Sequence, residues 1–451
     1  MITGYLLSAV LAGLAFLSPG DLASDTTDGG PLRLDEVVGS ALATHPEIAG
    51  ARAELGAAAA EAGQVRAARW PTVAVSGLGT RYQEPMVVAP LHGFDPMAPP
   101  AFDETLYQGH ASAEYTLYDG GSRGARIRGA SSRAEAAGSA VRAARQTVVA
   151  DAIRAYLAAL SAREVRAAHE RQVDALDAER GRTSLMLEQG KAPRVAVLRA
   201  EAALSEARAG LEAADERLRL ALRRLVRISG LPADRVTAEG LVPVEPGSEP
   251  LDRDTLVARA LELNPGLAEA RDRVAAAETG VGVARSAFLP QIDVTGRYSA
   301  FGGASTDPVL EWQAGVRVSY PVFTGGARSR GVERARAQTA AAEAGLREAE
   351  RSVADAVDAA LLAYRSARAR VVALEAAVAR SAEVARIEAL ALEAGAGVQT
   401  DYLQAQAALL RARAGLAEAR HAVVEARVGL ARATGRLDAE WATRLTGEVE
   451  R

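Results

Sequence analysis

The sequence predicts a mostly α-helical fold with a β-barrel portion, duplicated along the chain and built from long helical hairpins and four strands. Three observations carry this expectation. The phrase "YTLYDGGSR" from Tyr115 is nearly repeated as "YPVFTGGAR" from Tyr320. Two stretches, 122–188 and 327–393, contain no proline, so each can run as one helix of about 100 Å at 1.5 Å per residue. Segments 70–118 and 288–323 hold 13 of the 19 aromatic residues and alternate at the strand period, which sets them apart from the Ala- and Arg-rich remainder.

The duplication extends beyond that phrase. "ALATHPEIAGAR" at Ala41 faces "ALELNPGLAEAR" at Ala260, and the spacing from Pro46 to Pro71 equals that from Pro265 to Pro290. The second half is shorter only where the proline-rich "EPMVVAPLHGFDPMAPPAFDE" is answered by "GGASTDP"; loops absorb such differences and packed elements do not.

At the N-terminus, the apolar run from Tyr5 to Leu17 has the length of a signal-peptide core and is too short for a transmembrane helix. An export signal is expected over 1–23. The first repeat follows over 24–240, with helices 34–69, 122–188 and 192–229 and strands 71–83 and 107–118. A linker rich in proline and glycine, "LVPVEPGSEP", occupies 241–250. The second repeat covers 251–437, with helices 253–287, 327–393 and 400–435 and strands 290–300 and 311–323. Residues 438–451 read as a C-terminal tail.

Each helical expectation rests on apolar positions three and four apart, such as Val353, Val357, Leu361 and Tyr364, with alanines between them that let helices lie close together. The strands rest on alternation. In "WQAGVRVSYPVF", Trp312, Ala314, Val316, Val318 and Tyr320 share one face, with Gln313, Arg317 and Ser319 on the other. "YQGHASAEYTLY" and "QIDVTGRYSA" behave alike. "TVAVSGLGTRY" allows either face to be apolar, and its repeat position assigns it as a strand. Aromatic-rich alternating strands suggest the girdle of a membrane barrel.

Four strands cannot close a barrel, and in lipid each unpaired backbone group at an open edge costs several kcal/mol. Three copies supply twelve strands, an even number within the range of outer-membrane barrels, joined by identical interfaces. The junctions fit this plan. Pro71 and Pro290 stop an incoming helix and open a strand, while Gly120, Gly121, Gly325 and Gly326 allow the turn from strand into long helix.

The matching phrases "ALATHPEI" and "ALELNPGL", the junctions "RWPTV" and "FLPQI", the exits "LYDGG" and "VFTGG", and the tips near Gly190 and Gly395 together resemble the TolC-type outer-membrane efflux and secretion channels over 34–437. The resemblance implies a homotrimer in the Gram-negative outer membrane whose twelve-stranded transmembrane barrel continues as a periplasmic helical tunnel. It implies the exit duct of a tripartite efflux pump or type I secretion system. The expected partners are outer-membrane lipid and a periplasmic adaptor, the membrane fusion protein, with an inner-membrane transporter beyond it. Gly190, Lys191, Gly395 and Gly397 are the expected adaptor-contacting tips, although Gln189-Gly190 and Ala394-Gly395 stand where the family commonly has Val-Gly. Asp401 occupies the place of an aperture aspartate, which three copies would repeat as a ring selecting cations. A second acid is replaced by Gln404, and Ala196 holds the matching place in the first repeat.

Nothing in the sequence points to an enzyme or a cofactor. Cysteine is absent, and the five histidines form neither an HExxH motif nor a helical ligand pair. "GVGVAR" at Gly280 follows no strand, so it fails the context of a dinucleotide loop. With 53 basic and 57 acidic residues in 451, no basic field exists to recruit nucleic acid. The alternative is a soluble, elongated coiled-coil scaffold of the cell envelope, which leaves the aromatic strands unexplained.

Overall fold

A computed structural model describes residues 30–92, 96–97, 99–244 and 252–447. The expected export signal, residues 245–250 of the expected linker and residues 448–451 lie outside them. The first half runs α1 (Leu34–Thr44), α2 (Pro46–Ala67), β1 (Thr72–Val87), β2 (Phe102–Tyr118), α3 (Ser122–Glu188) and α4 (Arg194–Ser229). The second half runs α5 (Arg253–Leu263), α6 (Pro265–Ser286), β3 (Gln291–Gly303), β4 (Val309–Ser319), α7 (Ala327–Glu393) and α8 (Gln399–Ala433), and α9 (Ala439–Gly447) follows. The chain is mostly helical, with one antiparallel sheet in the order β1-β2-β3-β4. At 67 residues each, α3 and α7 carry the chain about 100 Å from the sheet.

Several boundaries differ from the sequence expectation, each for a local reason. The helix expected over 34–69 is two helices, and so is that over 253–287. His45 and Asn264 precede prolines and take extended angles, with ψ of 128° and 121°, because the proline ring disfavours the helical region for its predecessor. Each then caps the next helix, the Asn264 carboxamide oxygen accepting from the amides of Gly266 and Leu267 at 2.9 and 3.2 Å. Strands β1 and β2 reach further into the proline-rich segment than expected. Pro85 is tolerated because β1 is an edge strand whose register shifts between Arg81 and Met86. The strand expected over 311–323 stops at Ser319, opposite Gln291; Pro321 just beyond has no amide to donate.

The main core lies midway along the rods. Val148, Ile153, Tyr156 and Leu160 of α3 pack with Val37 and Val38 of α1, Leu225 of α4, Val428 of α8, and Leu437. Residues 438–451 are not simply a tail: α9 buries Trp441, Ala442 and Leu445 in this same core. The start of the expected linker is also fixed. Leu241 is buried and bridges Leu32, whose amide donates to the Gly240 carbonyl at 2.7 Å. The second half has a smaller counterpart around Leu256, Ala260, Val357 and Leu430.

Tyr156 ties these layers together. Its buried hydroxyl faces the Leu32 and Val242 carbonyls at 2.8 and 2.7 Å and accepts from the Val242 amide at 2.9 Å. Burial pushes the phenol up to about 12. The Val242 amide also donates to the Leu32 carbonyl at 3.2 Å, so Tyr156→Phe removes the hydroxyl's partner chiefly from the Val242 carbonyl and should destabilise the protein by about 1–3 kcal/mol, read as a lower denaturant midpoint in detergent.

Candidate functional site

The sheet has two unlike faces, and its register fixes them. Val73 and Val75 of β1 face Ala113 and Ala111 of β2. These in turn face Gly296 and Tyr298 of β3, and Tyr298 faces Trp312 of β4. This apolar face is bare, with Val75 82%, Trp312 74% and Val316 66% exposed. The opposite face carries His110, Ser112, Glu114, Asp293, Arg297, Ser299 and Arg317, with Leu78 of β1 as an apolar exception. Pairing across strands thus decides the face of β1 that its own sequence left open. Hydrogen bonds knit the polar face: His110 Nδ1 lies 3.0 Å from Ser299 Oγ, and Asp293 Oδ1 accepts from Thr116 Oγ1 and Gln291 Nε2 at 2.8 and 3.1 Å.

Below the sheet, Gly120, Gly121, Gly325 and Gly326 all have positive φ, from 57° to 86°, and precede α3 and α7. Gly120 is also packed tightly, since a Cβ there would lie 2.8 Å from Leu289 Cβ and 2.9 Å from the Ser286 carbonyl. Pro71 and Pro290 immediately precede β1 and β3. An arginine two residues after each glycine pair, not among the sequence-predicted junction residues, completes the joint. Arg123 Nη1 donates to the carbonyls of Thr116 and Ala68 at 2.8 and 3.2 Å, and its guanidinium sits 5.6 Å from the Tyr115 ring centre. Arg328 donates to the Val322 and Ala287 carbonyls and lies 5.0 Å from Phe288 and 5.8 Å from Tyr320. Each arginine therefore ties an incoming helix, a strand exit and an outgoing helix. Its recurrence in "GGSR" and "GGAR" was the available signal.

At the far ends, Gly190 and Gly395 end the rods with φ of 72° and 75°. The amides of Lys191 and Ala396 return to the Met186 and Ala391 carbonyls at 2.8 and 2.9 Å. Gly397 lies against backbone, and a Cβ there would be 2.6 Å from the Leu392 nitrogen. Lys191 is exposed and is the only lysine in the chain. Leu185, Leu198, Leu390 and Val398 leave apolar surface exposed nearby.

A polar cluster joins the two hairpins at this end. Glu179 of α3 is 4% exposed and is held by Arg182 through bonds of 2.8 and 2.9 Å. Gln399 at the start of α8 donates to Glu179 Oε1 at 3.2 Å and to the Ala196 carbonyl at 3.0 Å. Burial raises the pKa of neighbouring Tyr402. Asp401 lies in the first turn of α8, exposed, with no side-chain hydrogen bond or ion pair among the described residues, and Gln404 is exposed one turn later.

Among the described residues no group of three or more His, Asp or Glu could hold a metal. The histidines are dispersed: His45 caps α2, His92 lies 3.2 Å from Glu311, His421 lies 3.4 Å from Glu164, and His169 packs against Gly210.

A family model described as outer membrane efflux protein matches residues 37–231 and 256–436. The outer membrane efflux protein BepC of Brucella suis is 28% identical over 300 residues, which are 65% of this chain and 64% of BepC, so the match spans under two thirds of that protein. Among solved structures, a membrane protein from Pseudomonas aeruginosa superposes with a TM-score of 0.76 at 24% identity, covering 89% of this chain and 93% of that one. The CmeC outer membrane channel of Campylobacter jejuni gives a TM-score of 0.76 at 18% identity, covering 92% and 88%.

Proposed function

Because the chain belongs to the outer membrane efflux protein family, we propose that it is the outer-membrane exit duct of a tripartite efflux pump or type I secretion system, working as a passive homotrimeric channel. One observation carries the reading: an open four-stranded sheet with a bare apolar face and two free edges stands at one end of rods about 100 Å long. Lipid against the apolar face and copies of the chain at the edges resolve both problems at once, giving a twelve-stranded barrel with the polar face inward. The helices then continue the duct through the periplasm. A soluble scaffold would leave Trp312, Val75 and Val316 in water, where a patch of this kind promotes association.

In this reading the tips meet the helical hairpins of a periplasmic adaptor, which links the duct to an inner-membrane transporter. Exposed apolar side chains around Gly190 and Gly395 support that contact, and Gln399 holds the two tips of one chain together. Asp401 forms the aperture ring: its carboxylate is exposed and uncommitted among the described residues, which favours a charge acting on passing ions over a side-chain cap.

The assembly is tested by mass and conductance. The purified chain in detergent should have trimeric mass and open discrete channels in planar bilayers; a monomeric particle with retained strand content would overturn the reading. The tip contact is tested through Lys191. An amine-reactive crosslinker should join it to an envelope adaptor, Lys191→Arg should abolish that adduct, and Gly190→Arg or Gly395→Arg should impair transport. For the aperture, Asp401→Asn should shift the reversal potential toward lower cation preference in intact trimers; an unchanged potential would leave Asp401 only its favourable place in the first turn of α8.

A further inference from the structure

A cavity of about 450 Å³ lies where the four chain crossings meet, between the ends of α2 and α6, the sheet, and the starts of α3 and α7. Its strand contributions are Thr116, Gln291 and Ser319, all from the polar face. Three guanidinium groups line it, those of Arg123, Arg126 and Arg328, against one carboxylate, Asp119. That carboxylate is already engaged, Oδ1 accepting from the Gly121 amide at 3.1 Å and Oδ2 from the Arg123 amide at 2.6 Å. The nearby Asp293 carboxylate is bonded to Thr116 and Gln291. Arg123 and Arg328 are committed to carbonyls and rings, as described above. Arg126 is exposed and makes no hydrogen bond or ion pair with the described residues. Val65, Val283, Ala287, Leu289 and Pro290 give the cavity an apolar patch, with the hydroxyl residues Ser122, Ser286 and Thr324 beside it.

A free arginine beside two anchored ones, a satisfied acid and an apolar wall is complementary to a molecule with a flat apolar body and one anionic group. We propose that this cavity binds amphipathic organic anions, such as aromatic sulfonates or carboxylates, with Arg126 holding the anionic group and the Val283–Leu289 wall taking the ring. The location on the inner wall rests on the reading of the polar face as the inside of the duct. Three copies would set such a site three times around the passage, so anionic cargo would dwell where the helical tunnel opens into the barrel.

The probe is naphthalene-1-sulfonate, titrated into the full chain in phosphatidylcholine nanodiscs and followed by naphthalene fluorescence anisotropy, with neutral naphthalene-1-sulfonamide as control. The sulfonate should bind and the sulfonamide should not. Arg126→Gln should weaken sulfonate binding about tenfold, the loss of one charge-assisted bond, and Arg126→Lys should stay within about threefold of wild type. Ser122→Asp adds a negative charge to the same wall at a helix start that tolerates it; it should weaken binding similarly and keeps the test open should Arg126→Gln fold poorly. Equal binding of the sulfonamide, or wild-type affinity in both Arg126→Gln and Ser122→Asp, would overturn the proposal. So would loss of sulfonate binding in phosphatidylglycerol nanodiscs, which would give the cavity to a lipid headgroup. In planar bilayers the sulfonate should reduce single-channel current in wild type. Current that ignores bound sulfonate overturns the inner-wall site alone, whereas the absence of any channel overturns the duct reading itself.

Discussion

Every amide and carbonyl at a sheet edge needs a partner, and lipid offers none. From this constraint most of the architecture follows. Among the described residues one chain supplies four strands, with β1 and β4 as edges, and in the proposed duct other copies complete its sheet. The β2–β3 pairing that runs from Leu106 opposite Gly303 to Tyr118 opposite Ile292 joins the two repeats inside one chain. The same antiparallel pairing, repeated between chains, is what the proposed closure asks of β1 and β4. Duplication therefore halves the number of separate chains needed to complete the ring.

The second requirement is a rigid passage from sheet to helix, because a loose joint would uncouple the sheet from the rods. Glycines with positive φ supply the turn, and Arg123 and Arg328 remove its freedom. Each guanidinium bridges carbonyls from segments far apart in sequence and stacks on aromatic rings at the strand exit. Such carbonyls at a helix end or strand exit would otherwise depend on water. A charged donor fixed in a fork is suited to satisfying several of them together.

Legibility in the sequence followed the range of the interactions involved. The helical and alternating segments could be read because periodicity and the placement of proline are local properties. The faces of β2, β3 and β4 could be read from their own alternation. That of β1 could not, since Leu78 shares a face with Thr72 and Ser76, and only pairing with β2 decides the matter. The breaks before Pro46 and Pro265 were present in "THPE" and "LNPG" but need the rule for residues preceding proline. The burial of Trp441 against α1, the Gln399–Glu179 contact between hairpins and the cavity beside Arg126 all join residues distant in sequence. No window of sequence contains both partners of such a contact.

The distribution of charge sharpens the difference between the tip and the strand-to-helix junction of the proposed duct. A net charge of -4 on 451 residues sets up no strong global field, so selection among passing ions must come from local groups within about a Debye length, roughly 8 Å at physiological salt. At the tip, Asp401 is exposed with no side-chain bond among the described residues, while Arg182 is spent on the buried Glu179. At the strand-to-helix junction the balance reverses: Asp119 is spent on backbone amides and Arg126 has no bond among the described residues. At each of these two places one nearby charge is spent on the fold while another stays exposed, and Lys191 adds an exposed cation at the tip. If both proposed sites act on cargo, a molecule carrying both a cationic and an anionic group meets a complementary charge at each of them, whereas a simple ion meets one at only one.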